Sequence, residues 1–308
     1  MKVLASLASF AVLACPLATI AETTATASAT GKMGEIEVTI SGRLLRDSVW
    51  MITGRGGNIG LSAGEDGVYM IDDQYAPLSE PIRQAVAQIS DQPIGFIINT
   101  HRHGDHTGGN EYFKGQGALI VSHDNVRARM SVKQEPDLFG REIPALPETA
   151  LPIVTFADAL TFHLNDDTIR AFHVAHAHTD GDSIVHFQKA NVVHMGDVFF
   201  SDRYPYIDIA NGGSIRGTIS GADIALSMMN EDTIVIPGHG HVSNQAELSV
   251  YRDMLVEIAN RIQAHIDAGK SLEEVNAATP TADWDAEWGN NFVSPELMVK
   301  MVYQDLSR

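Results

Sequence analysis

His101, His103, Asp105 and His106 fall within a six-residue stretch of "THRHGDHTGG", Thr100–Gly109. His101 and His103 are spaced i, i+2. In an extended segment their rings leave the chain on the same side and can meet one ion. Asp105 and His106 follow at the turn and could serve a second ion beside the first. Imidazole and carboxylate together suit Zn2+ or another late first-row divalent metal, with Fe2+ or Mn2+ as alternatives. Gly104, Gly108 and Gly109 permit close backbone approach. A merely polar turn would leave these groups repelling one another or unpaired.

Three later segments can complete two ligand sets. "AHAHTDGDS" (Ala175–Ser183) offers His178 as the third imidazole for the first ion, with His176 as its rival. Asp180 and Asp182 in the same segment could orient a ligand histidine through its other ring nitrogen. "HMGDVFF" puts Asp197 after a glycine at a strand end, where one carboxylate can bridge two ions. "VIPGHGH" sets His239 between two glycines, completing the second ion's set, and leaves His241 as an exposed neighbour. The stretch Phe199–Gly217 should overhang the site. Its Arg203, Tyr204 and Tyr206 either bind a substrate carboxylate or carbonyl or pack as a structural loop.

Each cluster follows a predicted strand, and strand ends of a rigid sandwich can hold ligands to the tolerance chemistry needs. Alternation predicts strands at Glu35–Ser41, Val49–Thr53, Asn58–Ser62 and Val68–Asp72. Helical spacing follows at Leu78–Ser90, then a doubly buried strand at Ile94–Asn99. Strands and helices recur after Leu160, ending in a long helix from about Asn244 to His265 and two shorter ones. Glu135–Pro152, with four prolines, reads as a lid or substrate wall. This order suits one domain of two sheets sandwiched between helices.

The 308 residues carry a net charge of -18, with 39 acids against 21 bases and no Lys/Arg cluster. That argues against nucleic acid as a partner and leaves a small-molecule substrate. Residues 1–21 read as a secretory signal peptide cleaved after Ala21. The apolar run Val3–Ala14 is too short for an integral membrane segment. A lipoprotein signal acylated at Cys15 is the weaker alternative. Residues 22–33 read as a flexible leader and 34–308 as one domain, in a periplasmic or secreted protein. Cys15 is the only cysteine, so the mature chain would have no disulfide and no thiolate ligand.

"THRHGDHTGG", "HTDGD", "MGD" and "IPGHG", in that order, resemble the metallo-β-lactamase superfamily over about residues 35–265. The resemblance implies an α/β fold, the αββα four-layer sandwich with two mixed sheets between helices. It implies one metal on His101, His103 and His178, another on Asp105, His106 and His239, and Asp197 bridging. Asp72 in "GVYMIDD" matches the family's acid behind the ligands.

The expected activity is that of a secreted binuclear zinc hydrolase. Water held by two divalent ions ionises near neutral pH and attacks a carbonyl. Asp105 would orient that hydroxide and shuttle a proton. A cyclic amide or ester is the expected substrate, with β-lactams leading. The aspartate at 197 separates the chain from the β-lactamase subclass that carries cysteine there, and from the subclass that lacks a bridging acid. The alternatives are a mononuclear iron persulfide dioxygenase, a glyoxalase II-like thioesterase and a non-catalytic periplasmic metal-binding protein. The thioesterase fits less well with export, and no basic C-terminal glutathione-binding segment is visible.

Overall fold

The computed structural model describes residues 25–134, 136, 140 and 142–308. The expected signal segment and Cys15 lie outside the described residues, as do residues 135, 137–139 and 141 of the proline-rich loop.

Two mixed sheets face each other. The first has eight strands in chain order: β1 (Thr26–Met33), β2 (Ile36–Arg46), β3 (Val49–Thr53), β4 (Ile59–Gly64), β5 (Gly67–Ile71), β6 (Ile94–Asn99), β7 (Leu119–His123) and β8 (Val154–Phe156). Pairing is antiparallel from β1 to β5 and parallel from β5 to β8. The second sheet has six strands: β9 (Ala159–Leu164), β10 (Asp167–His173), β11 (Ser183–Phe187), β12 (Val192–His194), β13 (Ile234–Ile236) and β14 (Ser243–Asn244). Its order is β14-β13-β12-β11-β10-β9, and only β12 and β13 run parallel.

The described helices are α1 (Ser79–Val86), α2 (Gly104–Thr107), α3 (Asn110–Gly115), α4 (Asp124–Met130), α5 (Ile215–Met228), α6 (Gln245–Asp267), α7 (Leu272–Ala277), α8 (Asp285–Trp288) and α9 (Pro295–Leu306). None is long and apolar enough to cross a membrane.

Side-chain alternation builds the layers. In β6, Phe96 and Ile98 enter the core between the sheets, while Ile97 enters the core under α1 and α3. β5 splits likewise, with Tyr69 and Ile71 inward and Val68 and Met70 outward. A strand covered on both faces must be apolar throughout, as "IGFII" is. On the far side, Ile184, Val193 and Val235 of the second sheet meet Ala222 and Ala225 of α5, Tyr251, Leu255 and Ile258 of α6, and Met298 and Val302 of α9. The result is helix, sheet, sheet, helix.

Residues 26–33 are not a flexible leader. They form β1, paired with β2 from Thr26 opposite Arg43 to Met33 opposite Ile36. Their small side chains are required by close packing. Ala27 is buried, and a Cβ on Gly31 would lie 2.4 Å from Pro81 Cγ at the start of α1. An Ala/Thr/Ser/Gly composition reads as linker when only apolar periodicity is counted.

Candidate metal centre

β6 ends at Asn99, and the chain turns through Thr100–His103 into α2. Asp72, in the left-handed backbone region (φ 67°) after β5, captures this turn. Its Oδ1 accepts the Thr100 amide at 2.7 Å, and its Oδ2 accepts the Thr100 hydroxyl at 2.7 Å. The same oxygen lies 2.7 Å from His106 Nδ1. His103 stands immediately before α2, His178 on the loop after β10, Asp197 after β12 and His239 after β13.

The rings converge. His101 Nε2 lies 3.1 Å from His103 Nδ1, and His178 Nε2 lies 2.8 Å from that same nitrogen. Asp197 Oδ2 is 3.7 Å from His101 Nε2 and 3.5 Å from His178 Nε2. The other Asp197 oxygen, Oδ1, faces a second group. It lies 3.1 Å from His106 Nε2 and 3.6 Å from His239 Nε2. Asp105 Oδ2 closes that group at 3.2 Å from His239 Nε2 and 3.8 Å from His106 Nε2. The two groups, His101–His103–His178–Asp197 and Asp105–His106–His239, each gather their ligand atoms within 4.8 Å.

The hydrogen-bond pattern leaves donor atoms that could hold a cation. His103 Nε2 faces a carboxylate oxygen of Asp208 at 2.9 Å, and His178 Nδ1 faces the Tyr206 carbonyl at 2.6 Å. Both of those nitrogens must carry the proton. With both rings neutral, the nitrogens facing each other at 2.8 Å are both lone pairs, an arrangement that a cation between them or a proton on one ring would relieve. His101 follows the same logic. Thr100 gives its hydroxyl hydrogen to Asp72, so it accepts from His101 Nδ1 at 3.0 Å, and Nε2 is bare. Asp197 Oδ1 is buried without a hydrogen bond of acceptable geometry. Divalent cations fit these donors, with the tautomers fixed from behind.

The electrostatics agree. Burial pushes His101, His103 and His178 below their ordinary range, as neutral ligands require. Burial would raise the Asp197 carboxyl, but His106, His239, His101 and His178 overrule it and hold it well below the usual range. His106 is pulled the other way. Burial opposes its charge, yet Asp197, Asp105 and Asp72 raise it well above its ordinary value. His239 is likewise raised to about 9 by Asp197 and Asp105 against burial. These acids call for positive charge between them, which a metal ion could supply in place of protons.

The remaining expectations divide. His176 donates its ring to the Gly212 carbonyl at 2.9 Å and belongs to neither group. His241 is exposed and pairs with Asp202 and Glu247. Asp72 backs the ring of a histidine in one of the groups. Asp182 does not. Its carboxylate accepts the Thr179 amide and hydroxyl at 2.7 Å each, which shapes the loop after His178 without touching a ring of either group. Asp180 pairs with Arg129 at 2.6 Å. The acid that does hold a ring is Asp208, which spacing from the histidines cannot signal because it binds His103 across 105 residues.

Tyr204 is no substrate contact. It is fully buried, with its hydroxyl on Asp285 at 2.8 Å and on the Thr281 carbonyl. Tyr206 brings its ring 6.1 Å from His103 and 6.0 Å from His178. Arg203 bonds the Ser201 carbonyl and is partly exposed. Phe200, which sequence reasoning passed over, stacks on His239 at 5.4 Å. Of the proline-rich segment, Glu148–Ala150 forms a 3-10 turn; the Ala150 carbonyl accepts from Asn110 and the Glu148 and Leu151 carbonyls accept from Lys114, so this end packs against α3.

The sequence profile of the metallo-beta-lactamase superfamily matches residues 52–253, more than half of the chain, and the chain belongs to that superfamily. A hydroxyacylglutathione hydrolase of Polaromonas sp. (strain JS666 / ATCC BAA-500) is 23% identical over 178 residues, 58% of this chain and 60% of the relative. The chain thus spans less than two thirds of that curated relative. A metallo-beta-lactamase from Pontibacter korlensis shares the fold at a TM-score of 0.56, with 17% identity, covering 74% of this chain and 98% of that one. A stereoselective inverting sec-alkylsulfatase from Pseudomonas sp. shares it at a TM-score of 0.63, with 14% identity over 85% of this chain and 49% of that one.

Proposed function

We propose that the protein is a binuclear zinc hydrolase that opens a cyclic amide or ester, with β-lactams as the leading candidates. The observation that carries this reading is the orientation of Asp197. One of its oxygens faces the three-histidine group and the other faces His106 and His239. A pair of divalent ions supplies a water deprotonated near neutral pH and a Lewis acid for a carbonyl.

The chain's own residues set the direction of attack. His101, His106, His178 and Asp197 are buried, while Asp105, His239 and His103 keep 23%, 20% and 16% of their side-chain surface. A substrate therefore enters over those three. Asp105 is kept anionic, because His106 and His239 outweigh the effect of burial. On the open side it can orient the attacking water and take up its proton. Phe200 and Tyr206 wall the His239 and His178 sides and exclude bulk water there.

The same oxygens would serve thioester hydrolysis, and the likeness to a hydroxyacylglutathione hydrolase favours that as the second reading. Metal content per chain by mass spectrometry, on the sample assayed with nitrocefin, a simple lactone and a hydroxyacylglutathione thioester, tests both. Two zinc per chain with chelator-sensitive nitrocefin or lactone turnover is expected. Thioester turnover alone moves the assignment to the second reading. One iron with O2 consumption on a persulfide, or bound metal with no turnover, sinks both. We further propose export to the periplasm, which fractionation of cells expressing the full chain tests.

A further inference from the structure

Arg102 stands between two candidate ligands in sequence, but its side chain runs into the protein and is only 4% exposed. Its Nη2 donates to Asp208 Oδ2 at 2.6 Å, and its Nε has no hydrogen-bond partner among the described residues. The same Asp208 oxygen lies 2.9 Å from His103 Nε2 and accepts Asn211 Nδ2 at 2.9 Å. A permanent cation is thus wired, through one oxygen, to the back of one ligand.

The other group has no counterpart. Asp72, behind His106, receives only the neutral amide and hydroxyl of Thr100. The two groups therefore differ in charge. The His101–His103–His178 group is backed by a hydroxyl, a backbone carbonyl and a carboxylate whose charge Arg102 cancels. The Asp105–His106–His239 group contains one carboxylate and is backed by another that is not cancelled. Asp197 turns one oxygen to each. Inside a protein such charges are weakly screened.

We infer that Arg102 is an electrostatic brake on the His101–His103–His178 group: it weakens divalent-cation binding there, so that the Asp105–His106–His239 group loads first. This rests on the binuclear reading above. A residue with a merely structural role loosens the site when replaced, whereas this one tightens it. Arg102→Gln keeps a donor for Asp208 and removes the charge. Arg102→Lys keeps the charge. Asp208→Asn keeps the shape but leaves Arg102 uncancelled.

The test is a titration of chelator-stripped full-length protein with Zn2+ against a chromophoric chelator, yielding stepwise dissociation constants. The weaker constant should tighten about tenfold or more in Arg102→Gln, the scale on which groups behind ligands act. It should hold in Arg102→Lys and weaken in Asp208→Asn, while the stronger constant stays put. A weaker constant that is unchanged or loosened in folded Arg102→Gln overturns the inference. Should that variant not fold, the pair Arg102→Gln with Asp208→Asn, which leaves no buried charge, decides in its place: it must bind the weaker ion more tightly than Asp208→Asn alone. A wild type that takes up one Zn2+ would sink the binuclear reading. The inference then requires Arg102→Gln to gain the second equivalent, and no gain overturns it.

Discussion

The Asp72 carboxylate holds His106 directly, with Oδ2 2.7 Å from Nδ1, and holds His101 through the Thr100 hydroxyl. One acid behind the centre thus orients a ring in each group. Asp72→Asn should disturb both at once. Asparagine tolerates the left-handed backbone found here, so the change isolates the carboxylate from its backbone role. Both stepwise Zn2+ constants should weaken by about 10–100-fold. A loss confined to one constant would show that the relay through Thr100 does not matter.

Gly57 is a second support outside the ligand motifs. Its amide donates to the Asp105 carbonyl at 3.0 Å, and a Cβ there would lie 2.0 Å from His106 Cε1. The ring and its backbone partner are both confined, so neither can yield cheaply. Gly57→Ala should therefore displace His106 and abolish uptake of one Zn2+ per chain, with the other retained. Mass spectrometry after dialysis reads this directly. Two ions retained would mean that the β3–β4 turn moves instead.

The motifs that converge in the two groups were legible in the sequence because metal chemistry restricts residue type, and strand ends restrict place. "HRHGDH", "MGD" and "PGHGH" each follow a strand whose apolar pattern is plain. Supports such as Asp208, Gly57 and Phe200 were not legible. Each acts across tens of residues, through a contact that no local period records. β1 was hidden by its small residues, whose value appears only against Pro81 and the edge of β2. The choice between the two readings of Tyr204 was not legible for a related reason. An aromatic next to a catalytic loop looks the same in sequence whether it faces the cleft or, as here, the C-terminal helices.

Asp182 should give stability a distinctive pH dependence. Burial raises its carboxyl from 3.8 to about 7, against the lowering effect of its bonds from Thr179. The folded chain thus holds this proton more tightly than the unfolded chain. Below about pH 4 both states are protonated, and the group contributes nothing. Between about 4 and 7 only the unfolded state ionises, so stability falls as pH rises, by roughly 1.4 kcal/mol per pH unit. Above about 7 the loss is complete and constant. Asp182→Asn removes the titration while still accepting the Thr179 amide. Urea unfolding of chelator-stripped protein at pH 5 and pH 8 should show the variant gaining on wild type at the higher pH. An equal difference at both would refute the shift.

Asp197 should couple metal to folding more strongly than any other side chain, because it turns one oxygen to each group. In the stripped protein, His103 and His178 face each other at 2.8 Å, and with both rings neutral this contact would oppose folding. On the proposed reading, Zn2+ would bind the folded chain more tightly than the unfolded chain. At a hundred times its dissociation constant each ion adds about 2.7 kcal/mol. Chelator should lower the melting temperature of wild type, and added Zn2+ should restore it. Asp197→Asn takes the anionic oxygen from both groups, leaving an amide that cannot bridge two cations. Its melting temperature should respond far less to Zn2+, whereas His239→Ala, which strips one group only, should keep an intermediate response. Calorimetric scans of the three proteins with and without Zn2+ decide the matter. If Asp197→Asn responds as fully as wild type, the carboxylate does not bridge and the two groups bind independently.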